Sequence, residues 1–186
     1  MNKNLFFLLA IIFFQPVKAQ NNSDFVLAAN GKTCLCPNAN IGDSGDLIID
    51  GVEKTFTKRT SDQITNENAS TTCTSGITDL SGSYTIRFPN DAPCYEVYIV
   101  NSSFFDPGFN SDISSWDTSS VIDMTGMFFD QNLFDYDLNY WDVSNVQKMG
   151  SMFRNASNFN RDISNWNTSN VTTMYYMFAN ASNFNG

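Results

Sequence analysis

A period of 25 residues constrains this chain more than any other feature. Phe109, Phe134, Phe159 and Phe184 recur at that spacing, as do Trp116, Trp141 and Trp166. So do Met124, Met149 and Met174, and the pairs Met127-Phe128, Met152-Phe153 and Met177-Phe178. All three Trp and six of the seven Met of the chain stand in this lattice. Three units result, 109–133, 134–158 and 159–183, with a fourth beginning at 184, and eight of the 25 columns are identical in all three. One unit alone has too little apolar surface to close a core, so units of this kind must stack and cover one another.

Within a unit, Val121, Met124 and Phe128 fall at i, i+3 and i+7, as do Val146, Met149 and Phe153, and Val171, Met174 and Phe178. That spacing predicts one face of a short helix. Ser119, Ser144 and Ser169 stand where its N-cap belongs. The eight residues before it are Asp- and Ser-rich and read as an extended or turn-like piece with Phe109 and Trp116 facing inward. The expectation is therefore an α/β repeat solenoid, about 25 residues per coil, each coil a short extended segment plus a short helix. Its core ladder comprises the Phe, Trp, Val and Met columns just named. A weaker copy lies upstream: residues 74–84 match 118–128 in character at an offset of 44. A degenerate first repeat over 74–108 follows, with an insertion of about 19 residues read as a β-hairpin at 85–100 around a Pro-rich turn. The array breaks off at Phe184, and an uncovered last coil predicts either a longer protein or pairing with another chain.

Upstream of the repeats, Lys3, an unbroken apolar run over 5–14 and the small-residue site at 17–19 read as a secretory signal peptide over 1–19. The run is too short to span a bilayer, and no membrane span is expected in the mature chain. Residues 20–73 form an N-terminal lead-in. An exported chain with four Cys favours disulfides. Cys34 and Cys36 are too close in sequence to suit a mutual bridge. The preferred pair is Cys73 with Cys94, clipping the insertion, although three connectivities are possible.

Composition narrows function. The net charge is −9 and the chain has no His. An acidic surface without a basic patch disfavours nucleic acid and anionic lipid. No nucleophile–base set is present, and Asp112, Asp137 and Asp162 recur like scaffolding, so an enzyme, such as a hydrolase with a carboxylate pair, is a remote alternative. This Asp row suits turns whose carboxylates accept backbone N–H bonds. A calcium ladder is the other reading, although no EF-hand loop is present; no other cofactor is expected.

The units resemble the bacterial surface protein 26-residue repeat of BspA-like leucine-rich-repeat surface proteins. The matching motif runs from Asp112-Ile113 through Trp116, Ser119 and Val121 to Met124, Met127, Phe128 and Phe134, and recurs from Asp162-Ile163 onward. The resemblance covers about 74–186. It implies a leucine-rich-repeat-like solenoid, export, cell-surface display and adhesion or interaction with a protein, with no catalytic residues. A binding face would draw on columns that vary between units, and Phe129, Tyr140, Arg154 and Tyr176 are the candidates. Glycan binding on exposed aromatics is the alternative, but the Trp column shares its phase with apolar neighbours and suits a core better.

Overall fold

The computed structural model describes residues 24–82, 85–87, 98–100 and 103–185; the expected signal segment over 1–19 lies outside them. The N-terminal part is built on a β-hairpin. Strand β3 (Ser44–Ile49) pairs antiparallel with β4 (Val52–Lys58). Asp50 and Gly51 between them both have positive φ, 53° and 77°, the two-residue turn that an Asp-Gly pair favours. Strand β5 (Thr72–Cys73) adds to β4 in parallel. A smaller antiparallel pair joins β1 (Val26–Leu27) to β2 (Cys34–Leu35). Phe25, Ile49, Phe56 and three cysteines make a small core here. Gly45 is required where it stands, because an added Cβ would lie 2.6 Å from the Phe25 ring. Strands β6 (Thr85–Arg87) and β7 (Tyr98–Val100) pair antiparallel within the expected hairpin, whose turn lies outside the described residues.

The repeated part corrects the expected architecture. Among the described residues there is no α-helix, and regular structure is confined to three small sheets and two short 3-10 turns. The helix-bearing, leucine-rich-repeat-like solenoid is not formed. Each 25-residue unit is instead a succession of tight turns. Val121, Met127, Phe129 and Gln131 each donate a backbone bond to the carbonyl three residues back. Alternate amides turn outward: Met124, Gly126, Phe128 and Asp130 donate to Lys148, Gly150, Met152 and Arg154 of the next unit at 2.9 Å each. Met149, Ser151, Phe153 and Asn155 repeat this toward Thr173, Tyr175, Met177 and Ala179. A helix would need those amides for itself. Single parallel bridges run Asp79–Asp123–Lys148–Thr173.

Two features of sequence break the helix. Gly126, Ser151 and Tyr176 share one column and have φ of 65°, 55° and 55°; Asp130, Asn155 and Asn180 share another at 59° to 62°. Left-handed residues at two places per unit are incompatible with a right-handed helix. The supposed N-cap serines serve Asx turns: Ser119, Ser144 and Ser169 donate backbone N–H bonds to the side chains of Asp117, Asp142 and Asn167. Such side-chain bonds compete with helix formation.

The core columns stack. Phe109–Phe134–Phe159–Phe184 lie 5.7, 6.1 and 5.8 Å apart, and Phe128–Phe153–Phe178 lie 5.2 and 5.5 Å apart. The two columns interleave, with Phe128 on Phe134 at 4.2 Å and Phe153 on Phe159 at 4.1 Å. Trp116 and Trp141 are buried and stacked, and each indole N–H has a carbonyl acceptor: Ala69 for Trp116, Ile113 for Trp141 and Leu138 for Trp166. Val121, Val146, Met124, Met149, Met127 and Met152 are buried, as is Met177. Three ladder expectations weaken in the third unit. Met174 is 43% exposed, and Val171 and Phe178 are half-buried, because no following coil covers them among the described residues.

The upstream copy sits in the register of its 44-residue offset. Leu80 N donates to Asp123 O and Gly82 N to Thr125 O, as Met124 and Gly126 do one unit later. Ser103 Oγ then reaches Met127 O, and Phe105 stacks on Phe109 at 3.5 Å.

Ser151 combines a left-handed backbone with a buried hydroxyl that has no partner. Replacing it with the glycine found at 126 relieves both, against the entropy cost of glycine. We expect Ser151→Gly to stabilise by about 1 kcal/mol, a rise in Tm of about 2–4 °C by calorimetry; a fall would remove this account of the corner.

Asp123 supplies a pH signature. Burial raises its pKa, but hydrogen bonds from Thr125 and the Lys148 ammonium at 3.0 Å outweigh burial, and the net shift is below its ordinary 3.8. A depressed carboxyl stabilises the fold above its unfolded pKa, and that contribution is lost as pH falls through the lower folded value. Urea midpoints taken from about pH 5 to about pH 2 should fall less steeply for Asp123→Asn than for the parent chain.

Candidate binding face

The repeat puts the same column on the same side of every coil, so side chains one period apart meet across a coil boundary. Phe129 and Arg154 are such neighbours, and Tyr176 lies one corner away in the third unit. The Arg154 guanidinium stands 5.8 Å from the Phe129 ring centre and 5.4 Å from that of Tyr176. It is held between the two rings, an arrangement favoured by the negative faces of the aromatic rings. No carboxylate pairs with Arg154 among the described residues, and its Nε is buried without a partner. Tyr176 is 54% exposed. Its left-handed backbone turns the ring out of the corner where the first two units carry Gly126 and Ser151. Three of the four candidate residues are thus brought together.

Tyr140 does not join them. It lies beside the Lys32 ammonium, 6.0 Å from its ring centre. It lines a separate small cleft of about 180 Å³ with Asp117 and Asp142. Lys32 itself is paired with Asp50, whose hydrogen bond raises the lysine's pKa.

Around the face, the acidic row is spent on structure. Asp112, Asp137 and Asp162 accept the backbone N–H of Ser114, Asn139 and Ser164 at 3.0, 2.8 and 2.9 Å. For Asp162 that backbone bond lowers the pKa. Among the described residues no three acidic or cysteine side chains converge as metal ligands would. Trp116 and Trp141 are buried and stacked on each other, as core positions are.

The disulfide differs from the preferred pair. Cys73 bonds Cys36, with Cα atoms 6.3 Å apart, because β5 runs beside β4 and brings Cys73 under the 34–36 segment. Cys94 lies outside the described residues. Cys34 is a free, buried thiol; burial, with Asp117 nearby, pushes its pKa up to about 12. This region docks on the first repeat: Cys34 N donates to Ser115 O, Cys36 N to Ser75 Oγ, and Ser75 Oγ to Asp117 Oδ2 at 2.5 Å. Sequence reasoning missed this seam, and with it the cations Lys58 and Arg59 beside it. Their one visible signal is two adjacent basic residues in an acidic chain.

Residues 96–186 match the family described as Mycoplasma protein of unknown function, DUF285. The match takes in all three repeats, and this half of the chain is similar to that family. No curated protein and no solved structure matches the chain. The family's description names no activity, and nothing in it bears on the resemblance to BspA-like proteins. No helix among the described residues is long and apolar enough to cross a membrane.

A thiol with so high a pKa holds almost no thiolate near neutrality. Cys34 should resist a thiol reagent in the native chain and react once unfolded. Non-reducing peptide mapping should recover Cys36 linked to Cys73; recovery of Cys73 linked to Cys94 would overturn the pairing.

Proposed function

We propose that this chain is a non-catalytic, exported surface protein that mediates adhesion or protein–protein interaction through the variable face of its stacked repeats. The observation that carries this reading is the Phe129–Arg154–Tyr176 stack. Tyr and Arg dominate the energetics of protein interfaces, where a rigid aromatic anchor and a pre-oriented guanidinium lose little entropy on binding. Here the arginine is oriented by two rings and not by a carboxylate, so its charge is left for a partner. The residues beneath the face are fixed by the core, whereas the face columns read Gly, Ser, Tyr and Phe, Arg, Ala in successive units. A scaffold that holds its core constant and changes its surface is suited to recognition.

Export supports the same reading through the amino-terminal apolar run and the Cys36–Cys73 disulfide, a bond at home in oxidising compartments. The aromatic columns and the Asx carboxylates are committed to packing and turns, and no nucleophile–base pair stands among them.

The test is retention of beads coated with the full chain on cell layers under flow. The double variant Arg154→Glu/Tyr176→Ser should cut retention at least about tenfold, the scale of losing one interface hot spot, with Tm within a few degrees of the parent. Tyr140→Ser, away from the stack, should retain normally. Undiminished retention of the double variant would show the face to be the wrong one.

A further inference from the structure

Strand β3 is an outer strand of its sheet, whose order is β3–β4–β5, and among the described residues no strand lies beyond it. An antiparallel ladder bonds alternate residues to the partner strand and turns the others outward. The phase is fixed at the open end of the hairpin, where Lys58 N donates to Asp43 O and Gly42 N donates to Lys58 O. Stepping by twos along the register places Gly45, Leu47 and Ile49 on bonds to β4. The amides and carbonyls of Asp46 and Ile48 then point away from β4. The side chains agree: Ser44 Oγ stands 2.8 Å from Thr57 Oγ1, and Thr55 Oγ1 donates to Asp46 Oδ1 at 2.6 Å, the close approach of non-bonded pairs. Among the described residues nothing bonds to the main chain of Asp46 or Ile48 from the outer side.

Edge strands are ordinarily protected by Pro, by Lys, by a bulge or by brevity. This one runs for six residues with neither Pro nor Lys. Its outer face shows Ile48, 63% exposed. The one charge on the strand is Asp46, and Glu53 stands across the ladder from Ile48. Both carboxylates are exposed, and neither forms an ion pair among the described residues.

We infer that β3 is a docking edge for an extended, basic segment of a partner protein, added as a further strand of the sheet. The outward amides and carbonyls bond the incoming main chain, as in strand addition generally. A Lys or Arg of the partner faces Asp46, with Glu53 close by, and an apolar side chain faces Ile48. A second copy of this chain fits worse, because it brings the same acidic edge from a protein of net charge −9. Paired about Asp46, two such edges set carboxylate against carboxylate. The charge that rejects self-pairing is the one that selects a base. The edge shares no residue with the Arg154 stack.

The experiment titrates the full chain into a fluorescently labelled peptide, Thr-Val-Thr-Lys-Thr-Val-Thr, and reads anisotropy. The peptide has the same sequence in both directions, so it serves parallel and antiparallel addition alike. Saturable binding is expected, at least about tenfold tighter than for the same peptide with Glu in place of Lys. N-methylation at Val, Lys and Val, which blocks the amides facing β3, should weaken it by at least about the same factor. Asp46→Lys should reverse the preference between the Lys and Glu peptides. Ile48→Pro removes an outward donor and no ladder bond, a place where an edge strand tolerates Pro, and should also weaken binding. Asp46→Lys, an exposed change outside the core, decides the matter if Ile48→Pro fails to fold. Absence of saturable binding, equal binding of the N-methylated peptide, or a preference untouched by Asp46→Lys would overturn the docking edge. So would a dimer of the chain alone that Ile48→Pro abolishes in sedimentation, since that would give the edge to a second copy.

Discussion

The interleaved phenylalanine columns are the constraint on which the rest of the repeated part depends. Rings from positions 109, 134, 159 and 184 alternate with rings from 128, 153 and 178: Phe128, Phe153 and Phe178 each lie on the ring that opens the next unit, and Phe128 and Phe153 also stack on the same column one period on. Stacked aromatic pairs contribute about 0.5–1.5 kcal/mol beyond their buried area. More important is register. A slip of one residue toward the C-terminus would put Asn110, Asp135 and Asn160 in the slots of Phe109, Phe134 and Phe159 and leave those aromatic slots empty. With the rings in place, the alternate amides of one coil face the carbonyls of the next, and the ladder of bonds from Met124 to Asp130 follows. Phe105 extends the same logic backward: it fills the ring position ahead of Phe109 and lets the array begin on an irregular segment.

Much of this was legible in the sequence, and the missed part has a physical reason. The core columns could be read because buried rings and thioethers have no substitutes of equal volume in a stack, so identity recurs. The coil conformation could not be read from the same residues. An apolar spacing of i, i+3, i+7 arises from a helix, but a chain of four-residue turns bonded three residues back produces it too. The discriminating marks were polar: Asp or Asn two residues ahead of each serine, Gly126 within the supposed helix, and Asn155 and Asn180 beyond it. Those residues favour Asx turns and left-handed corners. In the N-terminal part, Asp50-Gly51 marks the hairpin openly. The partner of Cys73, by contrast, is set by β5 joining β4, a long-range pairing that no local spacing encodes.

Charge is distributed unevenly over the described residues. The acidic side chains of the repeats are largely occupied with backbone amides or with a lysine or arginine one coil away, as in Lys148–Asp123 and Arg161–Asp135. Carboxylates used this way stabilise corners and lend little field to the surface. Against that background, cations held by neutral groups stand out: Arg154 by two rings, Lys58 and Arg59 by carbonyls and a hydroxyl. Positioning a cation without a counter-ion leaves its charge available, at the cost of desolvation that rings and carbonyl dipoles offset.

The junction at residues 82 and 103 has a consequence for how such a chain grows. Gly82 contacts Thr125 and Ser103 contacts Met127, so the chain leaves the stack and returns to it across a gap of two residues in the neighbouring coil. Lengthening a loop with fixed ends costs only about 0.6 kcal/mol for each doubling. The stack therefore behaves as a spine with a side branch: material can be added at this junction at little thermodynamic penalty, while material added inside a coil would break the ring register at once.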